Sequence, residues 1–179
     1  MKDIANTPLV SIICSTYNHG LYISQCLDGF LMQKTNFPFE ILIHDDASTD
    51  NTPDIIREYE HNQPQVIRPI YQKENKYSKK EDIFAKYQCS RVRGKYIAIC
   101  EGDDYWIDPL KLQKQIDFLE NNPDYGMIYT TSKVYNQKEG KIEEDIIGRE
   151  FNGYIELLSG NCIPTLTTCI RSSLLMEYL

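Results

Sequence analysis

"KYIAICEGDDYWIDPLKLQKQIDFLENNP", residues 95–123, changes character twice. It begins as a short apolar run ending at Cys100, of the kind that forms a strand buried on both faces. It then places Glu101, Asp103 and Asp104 within four residues of one another, directly before the chain's single tryptophan, Trp106. From Asp108-Pro109, a cap-plus-proline pair, it takes up a helical rhythm, with Leu112, Ile116 and Leu119 on one stripe and a stop near Pro123. Strand, acidic loop and helix in that order make an α/β unit. Neighbouring carboxylates about 5 Å apart repel by roughly 3 kcal/mol at an effective dielectric near 20, so the cluster calls for a positive partner.

The same alternation runs back toward the N-terminus. "LVSIIC", residues 9–14, is a β-branched apolar run that gives way to "STYNHG". Ile23, Cys26, Leu27, Phe30 and Leu31 then recur at helical spacing and give one apolar face. "FEILIH", residues 39–44, is a second strand that stops at Asp45 and Asp46. The next helix is expected to start with Thr52 as N-cap, Pro53 at its first position and Asp54 against the positive end of the dipole. Residues 65–72 read as a third strand, placed at a sheet edge by Pro69. The polar run 73–82 reads as a loop. Ile83, Phe84, Tyr87 and Val92 give a weaker helix, closed by Gly94 as a C′ glycine. Beyond the acidic loop, strands are expected at 126–135 and 163–170, separated by a polar stretch from Asn136 to Glu150.

Apolar strands alternating with amphipathic helices predict a mainly parallel sheet with helices on both faces. Open sheets of this kind bind ligands beyond the carboxyl ends of their strands. That is where the polar groups fall: Ser15, Thr16, Tyr17 and Asn18 after the first strand, Asp45 and Asp46 after the second, and Glu101, Asp103 and Asp104 after the fourth. Hard oxygen ligands in a group suit Mg²⁺ or Mn²⁺ completed by ligand phosphates. The metal lets an acidic chain hold an anionic diphosphate. An aromatic such as Tyr17 can stack on a base, and a carboxylate such as Asp46 can accept from a ring N–H or a ribose hydroxyl.

Composition narrows the rest. With 179 residues the chain is the size of one domain, and a net charge of −7 argues against a general nucleic-acid surface. No run approaches the ~18 apolar residues of a membrane span, and the N-terminus lacks the pattern of a secretion signal, so a cytoplasmic protein is expected. The six cysteines, at 14, 26, 89, 100, 162 and 169, show no C-x-x-C spacing and read as buried reduced thiols. His19 and His44 lack partners at metal-ligand spacing. Trp106 reads as a packing residue beneath the acidic loop.

Taken together, "LVSIICSTYNHGLYISQCLDGFLMQ", "FEILIHDDASTDNT", "GKYIAICEGDDYWIDPLKLQKQIDFLENNP" and "YGMIYT" resemble the successive signature segments of the family 2 glycosyltransferases, over roughly residues 8–135. The resemblance implies a GT-A fold, with a Rossmann-like, mainly parallel central sheet. It also implies transfer of a sugar from a nucleotide diphosphate sugar, UDP-linked, to an acceptor hydroxyl of a glycan or lipid-linked sugar, with inversion, in polysaccharide or other cell-surface glycan synthesis. Such work could be peripheral to the inner face of the membrane. By position, Ser15 and Tyr17 resemble residues lining the base, with Thr16 and Asn18 beside them. Asp46 resembles the pyrimidine-binding aspartate, Asp103 the carboxylate at the ribose and the metal, and Asp104 the metal ligand, with Mn²⁺ or Mg²⁺ as cofactor. Glu101 stands where relatives carry a further Asp.

Three departures follow. Cys14 stands where relatives commonly have Pro. The basic phosphate contact of relatives has no clear counterpart in "IFAKYQCSRVRG", where Lys79, Lys80 and Arg91 read as a solvated face. The catalytic base, often in a Glu-Asp pair, follows the strand that corresponds to 163–170, yet this chain has only nine further residues. The expectation is therefore a single GT-A domain over 1–179, truncated at its C-terminus, with a donor-binding half at about 8–125, an acceptor side from 126, and the base beyond Leu179. Glu81-Asp82 and Glu144-Asp145 precede that strand and are not assigned. Two other readings compete. A sugar-phosphate nucleotidyltransferase needs a glycine-rich basic loop after the first strand, which "STYNHG" is not. A receiver-like domain needs its acid pair after the first strand, whereas here it follows the second. The isolated chain could also simply bind a nucleotide sugar.

Overall fold

The computed structural model describes residues 7–151 and 153–177. In chain order its strands are β1 (Val10–Thr16), β2 (Phe39–Asp45), β3 (Ile67–Tyr71), β4 (Tyr96–Ile99), β5 (Met127–Ile128), β6 (Ser132–Asn136), β7 (Lys141–Ile147) and β8 (Cys169–Arg171). Its α-helices are α1 (Ile23–Leu31), α2 (Thr52–Asn62), α3 (Lys111–Asn121), α4 (Tyr154–Ser159) and α5 (Ser172–Glu177). Six strands form one sheet in the order β3-β2-β1-β4-β8-β5, while β6 and β7 pair as a separate hairpin. β1 runs parallel to both β2 and β4, and β2 parallel to β3, so that Thr16 lies level with Asp45. Only β8 opposes its neighbours. The mainly parallel sheet expected from the sequence is present.

Alternation along the central strands sends side chains to opposite faces. Ile12, Cys14, Tyr96 and Ala98 pack with Ile23, Leu27 and Phe30 of α1, Ile56 of α2, and Leu112, Ile116 and Leu119 of α3. Ile13 and Ile97 pack the other way, against Phe84, Cys89 and Leu175. One face is thus covered by three helices, and the other by the irregular segment around 84–92 and by α5. The strand order runs outward from β1 to β3 and then returns to β4 on the far side of β1. The carboxyl ends of β1 and β4 therefore flank the point where the winding reverses, the crevice in which open α/β sheets hold ligands.

Several boundaries differ from the sequence reading. Thr52 is the first residue of α2 rather than its cap; Asn51 precedes it, and the carboxylate of Asp50 accepts the Thr52 amide at 2.9 Å. α3 begins at Lys111, because Asp108 closes a turn of its own: its Oδ1 accepts the Leu110 amide at 2.9 Å and its carbonyl the Lys111 amide at 3.1 Å. The helix expected over 83–92 is a π turn, Phe84–Gln88, followed by a 3₁₀ turn, Cys89–Arg91. Val92 is already extended, so Gly94 is not a helix cap. Its reason is contact: a Cβ there would stand 2.5 Å from the Ser11 amide nitrogen. The strand expected over 126–135 is two, β5 in the main sheet and β6 outside it, and the polar stretch after it supplies β7. The strand expected over 163–170 opens with a 3₁₀ turn, Thr165–Thr167, before β8. β3 is an edge strand, in agreement with Pro69.

A buried charged group holds the opposite end of the sheet. Glu40 of β2 is 1% exposed. It accepts the Ser11 hydroxyl at 2.7 Å and two N–H groups of Arg93, at 2.8 and 2.5 Å. Charge-assisted bonds of this kind offset the desolvation of the carboxylate and tie β1, β2 and the entry to β4 together.

Candidate nucleotide-sugar site

Three strand ends meet at the reversal point, and backbone hydrogen bonds fasten them. The amides of Cys100 and Gly102 donate to the carbonyls of Ile13 and Ser15, at 3.1 and 3.0 Å, and the Asp46 amide donates to the Thr16 carbonyl at 3.0 Å. The loops after β1, β2 and β4 are therefore held in register without any side chain. Asn18, with φ at +54°, adds a clamp: its Oδ1 accepts the Thr49 amide at 2.8 Å, while its own amide donates to the Ser48 hydroxyl at 2.8 Å. Asn tolerates the left-handed region better than most residues, which suits it to this turn.

The residues singled out from the sequence fall into distinct environments. Ser15 receives Gln88 Nε2 at 3.3 Å, and the same amide group reaches the Cys14 carbonyl at 2.9 Å. Gln88 is fully buried and was not found from sequence; a lone glutamine in a weakly periodic segment carries no signal of its role. Thr16 is buried and its hydroxyl has no hydrogen-bond partner among the described residues. Nδ1 of His19 lacks one too, and stands 3.8 Å from Asp103 Oδ1. Tyr17 is 43% exposed and its ring is free to stack. Both oxygens of Asp46 are engaged: Oδ1 accepts the Lys76 amide at 2.7 Å and Oδ2 the Tyr77 amide at 2.9 Å. Each carboxylate oxygen has a second lone pair, so acceptor capacity remains. Asp45 is a turn former, its carboxylate receiving the Ser48 amide at 3.3 Å.

The acid cluster is held together against burial and mutual repulsion. Burial pushes the Asp104 carboxyl up to about 6, with the Asp103 and Glu101 carboxylates adding to the shift. Glu101 is also raised, first by burial and then by Asp103. A bound cation would reverse these terms. The donor set is all oxygen, which suits Mg²⁺ or Mn²⁺. Among the described residues no three His, Cys, Asp or Glu side chains converge to enclose a metal. That arrangement fits an ion held by one or two carboxylates and completed by phosphate oxygens and water. Asp104 and Asp103 are the residues that would hold it.

Beneath the loop, Trp106 is a packing residue: its ring meets Phe30 edge-on with centroids 4.7 Å apart, and Nε1 donates to the Leu166 carbonyl at 2.7 Å. Cys14, Cys26 and Cys100 lie buried together, and burial raises Cys26 well above the usual thiol range. All six cysteines are free; five are buried as the sequence reading expects, while Cys162 is only half-buried. Arg91 donates to the carbonyls of Ile43 and Arg68, and Lys79 pairs with Glu74, so both are engaged within the chain.

A cavity of about 940 Å³ opens on the far side of the acid pair. Asp103, Asp104, Trp106, Lys111 and Gln115 line it, together with residues of the β6–β7 hairpin. Ser15 and Asp46 do not line it. Glu144 and Asp145 do not line it either; both are exposed on the hairpin.

The glycosyl transferase family 2 model matches residues 11–177. The chain belongs to that family. It is 43% identical over 137 residues to an uncharacterized protein of Mycobacterium tuberculosis, covering 75% of this chain and 38% of the relative. It is 30% identical over 163 residues to the putative teichuronic acid biosynthesis glycosyltransferase TuaG of Bacillus subtilis, covering 91% of this chain and 62% of TuaG. Among solved structures it resembles S. aureus TarS 1-349 in complex with UDP, with TM-score 0.69 at 21% identity over 94% of this chain and 48% of that one. It also resembles the mannosyltransferase PcManGT of Pyrobaculum calidifontis in complex with GDP-Man and Mn²⁺, with TM-score 0.67 at 20% identity over 96% of this chain and 46% of that one. The fold is that of the GT-A glycosyltransferases. The chain spans less than two thirds of the length of each of these proteins.

Proposed function

We propose that this chain is the donor-binding part of an inverting glycosyltransferase that moves a sugar from a UDP-linked donor to an acceptor hydroxyl in polysaccharide or related cell-surface glycan synthesis. The observation that carries the reading is the placement of Asp103 and Asp104 at the carboxyl end of β4, at the reversal of the sheet, with Asp104 raised to about 6 by burial and two like charges. Such a site binds a cation and, through it, an anion. Support comes from TarS having been solved with UDP, from PcManGT having been solved with GDP-Man and Mn²⁺, and from the assignment of TuaG to teichuronic acid biosynthesis.

In this reading Ser15, Thr16, Tyr17, Asn18 and Asp46 receive the nucleoside. Tyr17 offers a ring face, and Asp46 offers its remaining lone pairs to a base N–H. Asp103 takes the ribose side, and Asp104, with Asp103, holds the metal. When bound, the divalent cation supplies Lewis-acid stabilisation of charge on the departing nucleotide diphosphate. The chain's own loops fix where that charge develops, because backbone bonds rather than mobile side chains hold 16, 46 and 102 together. The cavity beyond the acid pair receives the acceptor. We assign no catalytic base among the described residues. Six free thiols suit a reducing compartment, and among the described residues no helix is long and apolar enough to cross a membrane.

Calorimetric titration with UDP and GDP, each with and without Mn²⁺, tests this. UDP is expected to bind with Mn²⁺ and at least about tenfold more weakly without it or in Asp104→Ala. Absence of binding by either nucleotide, or binding indifferent to both metal and mutation, overturns the reading.

A further inference from the structure

Among the residues that line the cavity is a charge that donor chemistry does not use. Lys111 is 7% exposed. Its ammonium donates to Gln115 Oε1 at 2.8 Å and stands 4.1 Å from the centre of the Trp106 ring. Burial lowers its pKa to about 8, which still leaves it protonated at neutral pH. Among the described residues no carboxylate pairs with it. Cys169, Cys100 and Asp108 act on it only through space; the two thiols are themselves raised and neutral, and Asp108 is tied instead to Lys114 at 2.8 Å. A buried ammonium held only by an amide oxygen and a ring face is costly, and such groups ordinarily find an anion.

The start of α3 adds no competing anion site. The Lys111 amide donates to the Asp108 carbonyl at 3.1 Å and the Leu112 amide to Gln33 Oε1 at 3.0 Å, so these helix donors are satisfied within the chain. Nor does the acid pair serve the ammonium, because no Lys111–Asp103 or Lys111–Asp104 ion pair forms. An ammonium has three N–H groups. One is used by Gln115 and one face is turned to the indole, which leaves a donor for a ligand in the cavity that Lys111 lines.

We propose that Lys111, braced by Trp106 and Gln115, is a recognition site for an anionic group, a phosphate or a carboxylate, carried on the sugar acceptor. The inference rests on the glycosyltransferase reading and deepens it. The carboxylates of Asp103 and Asp104 repel a free anion, while the Lys111 ammonium lining the same cavity attracts one, so an acceptor bearing a single anionic group is oriented with that group on Lys111 and away from the acid pair. Such an opposed pair of charges sets register as well as affinity.

Trp106 is the chain's single tryptophan and its ring touches the proposed subsite, so its emission reports occupancy. The 179-residue chain, in EDTA to keep metal from the acid pair, is titrated with glucose 1-phosphate, glucuronate and glucose. Saturable change with at least one of the two anions, at least about tenfold tighter than with glucose, is expected, and the better of the two identifies the anion's source. The preference is expected to vanish in Lys111→Met, to persist in Lys111→Arg, and to be unchanged in Lys114→Met. Equal binding of glucose and both anions, no saturation by either anion, or an unaltered preference in Lys111→Met overturns the inference. If Lys111→Met loses its near-ultraviolet circular dichroism, Lys111→Gln replaces it, and the wild-type comparison still decides. Binding of UDP with Mn²⁺, measured on the same preparation, separates the two readings: if it is intact while the sugar anions fail, only the subsite falls.

Discussion

Gly102 passes so close to Thr16 that a Cβ on it would stand 2.7 Å from the threonine hydroxyl oxygen and 3.0 Å from His19 Nδ1. The contact sets how tightly the acidic loop closes on the end of β1. The same position faces two polar atoms that lack hydrogen-bond partners among the described residues, the Thr16 hydroxyl and His19 Nδ1.

Gly102→Ala is therefore expected to displace the loop rather than be absorbed. Overpacking of this kind costs about 1–3 kcal/mol, and here it falls on the segment that carries Asp103 and Asp104. Urea denaturation should show the loss of stability, and titration with UDP and Mn²⁺ should show weaker binding. Wild-type values for both would mean that the loop yields freely.

Asp46 has a second task besides any contact with a base. Its two oxygens are the acceptors for the amides of Lys76 and Tyr77, which fold the 72–81 segment over the end of β2. In Asp46→Ala both amides lose a charged acceptor, a loss of about 1–3 kcal/mol. Hydrogen exchange should then accelerate at 76 and 77 by about tenfold or more while β1 and β4 stay protected. Unchanged exchange at those two amides would contradict the anchoring role.

Lys111 makes stability depend on alkaline pH with a defined sign. Its ordinary value of 10.5 applies to the unfolded chain, and burial lowers it to about 8 in the fold. Between those values the unfolded chain binds more protons, so this group makes stability rise with pH, by about 3 kcal/mol over the window. Below pH 8 both states are protonated and the penalty is constant. Lys111→Met should abolish the rise, and the difference between the two proteins in chemical denaturation from pH 7.5 to 10.5 isolates it from the thiols and tyrosines. A constant difference across that range would refute the assignment.

The central sheet was legible because its physics is local. Ile12, Ile41 and Ile97 sit in runs that only a two-sided burial satisfies, and Ile23, Cys26, Leu27 and Phe30 keep a helical period. What escaped was set by partners distant in sequence. Asp108 reads as a helix cap, yet it closes a turn three residues early, and Gln33, just past the end of α1, supplies the acceptor that Leu112 needs. Gly94 looks like a cap for the same local reason, although its constraint comes from Ser11. Residues 132–147 leave the main sheet as a hairpin, with β6 and β7 paired only to each other. In the candidate site the carboxylates were evident as residue types. The Thr16 hydroxyl without a partner among the described residues, buried Gln88 and the Lys111 ammonium held by Gln115 rather than by a carboxylate were not, since each depends on what surrounds it. Lys111 did leave a trace, a lysine directly beside the apolar stripe of α3 and four residues before Gln115.

The two margins of the main sheet carry a consequence for the protein at high concentration. One border strand, β3, has a proline at its centre and an exposed arginine, Arg68, beside it, while the other, β5, is two residues long. Neither offers an uninterrupted row of donors and acceptors on which a second molecule could template itself. The main sheet should accordingly resist strand-to-strand polymerisation along its own margins.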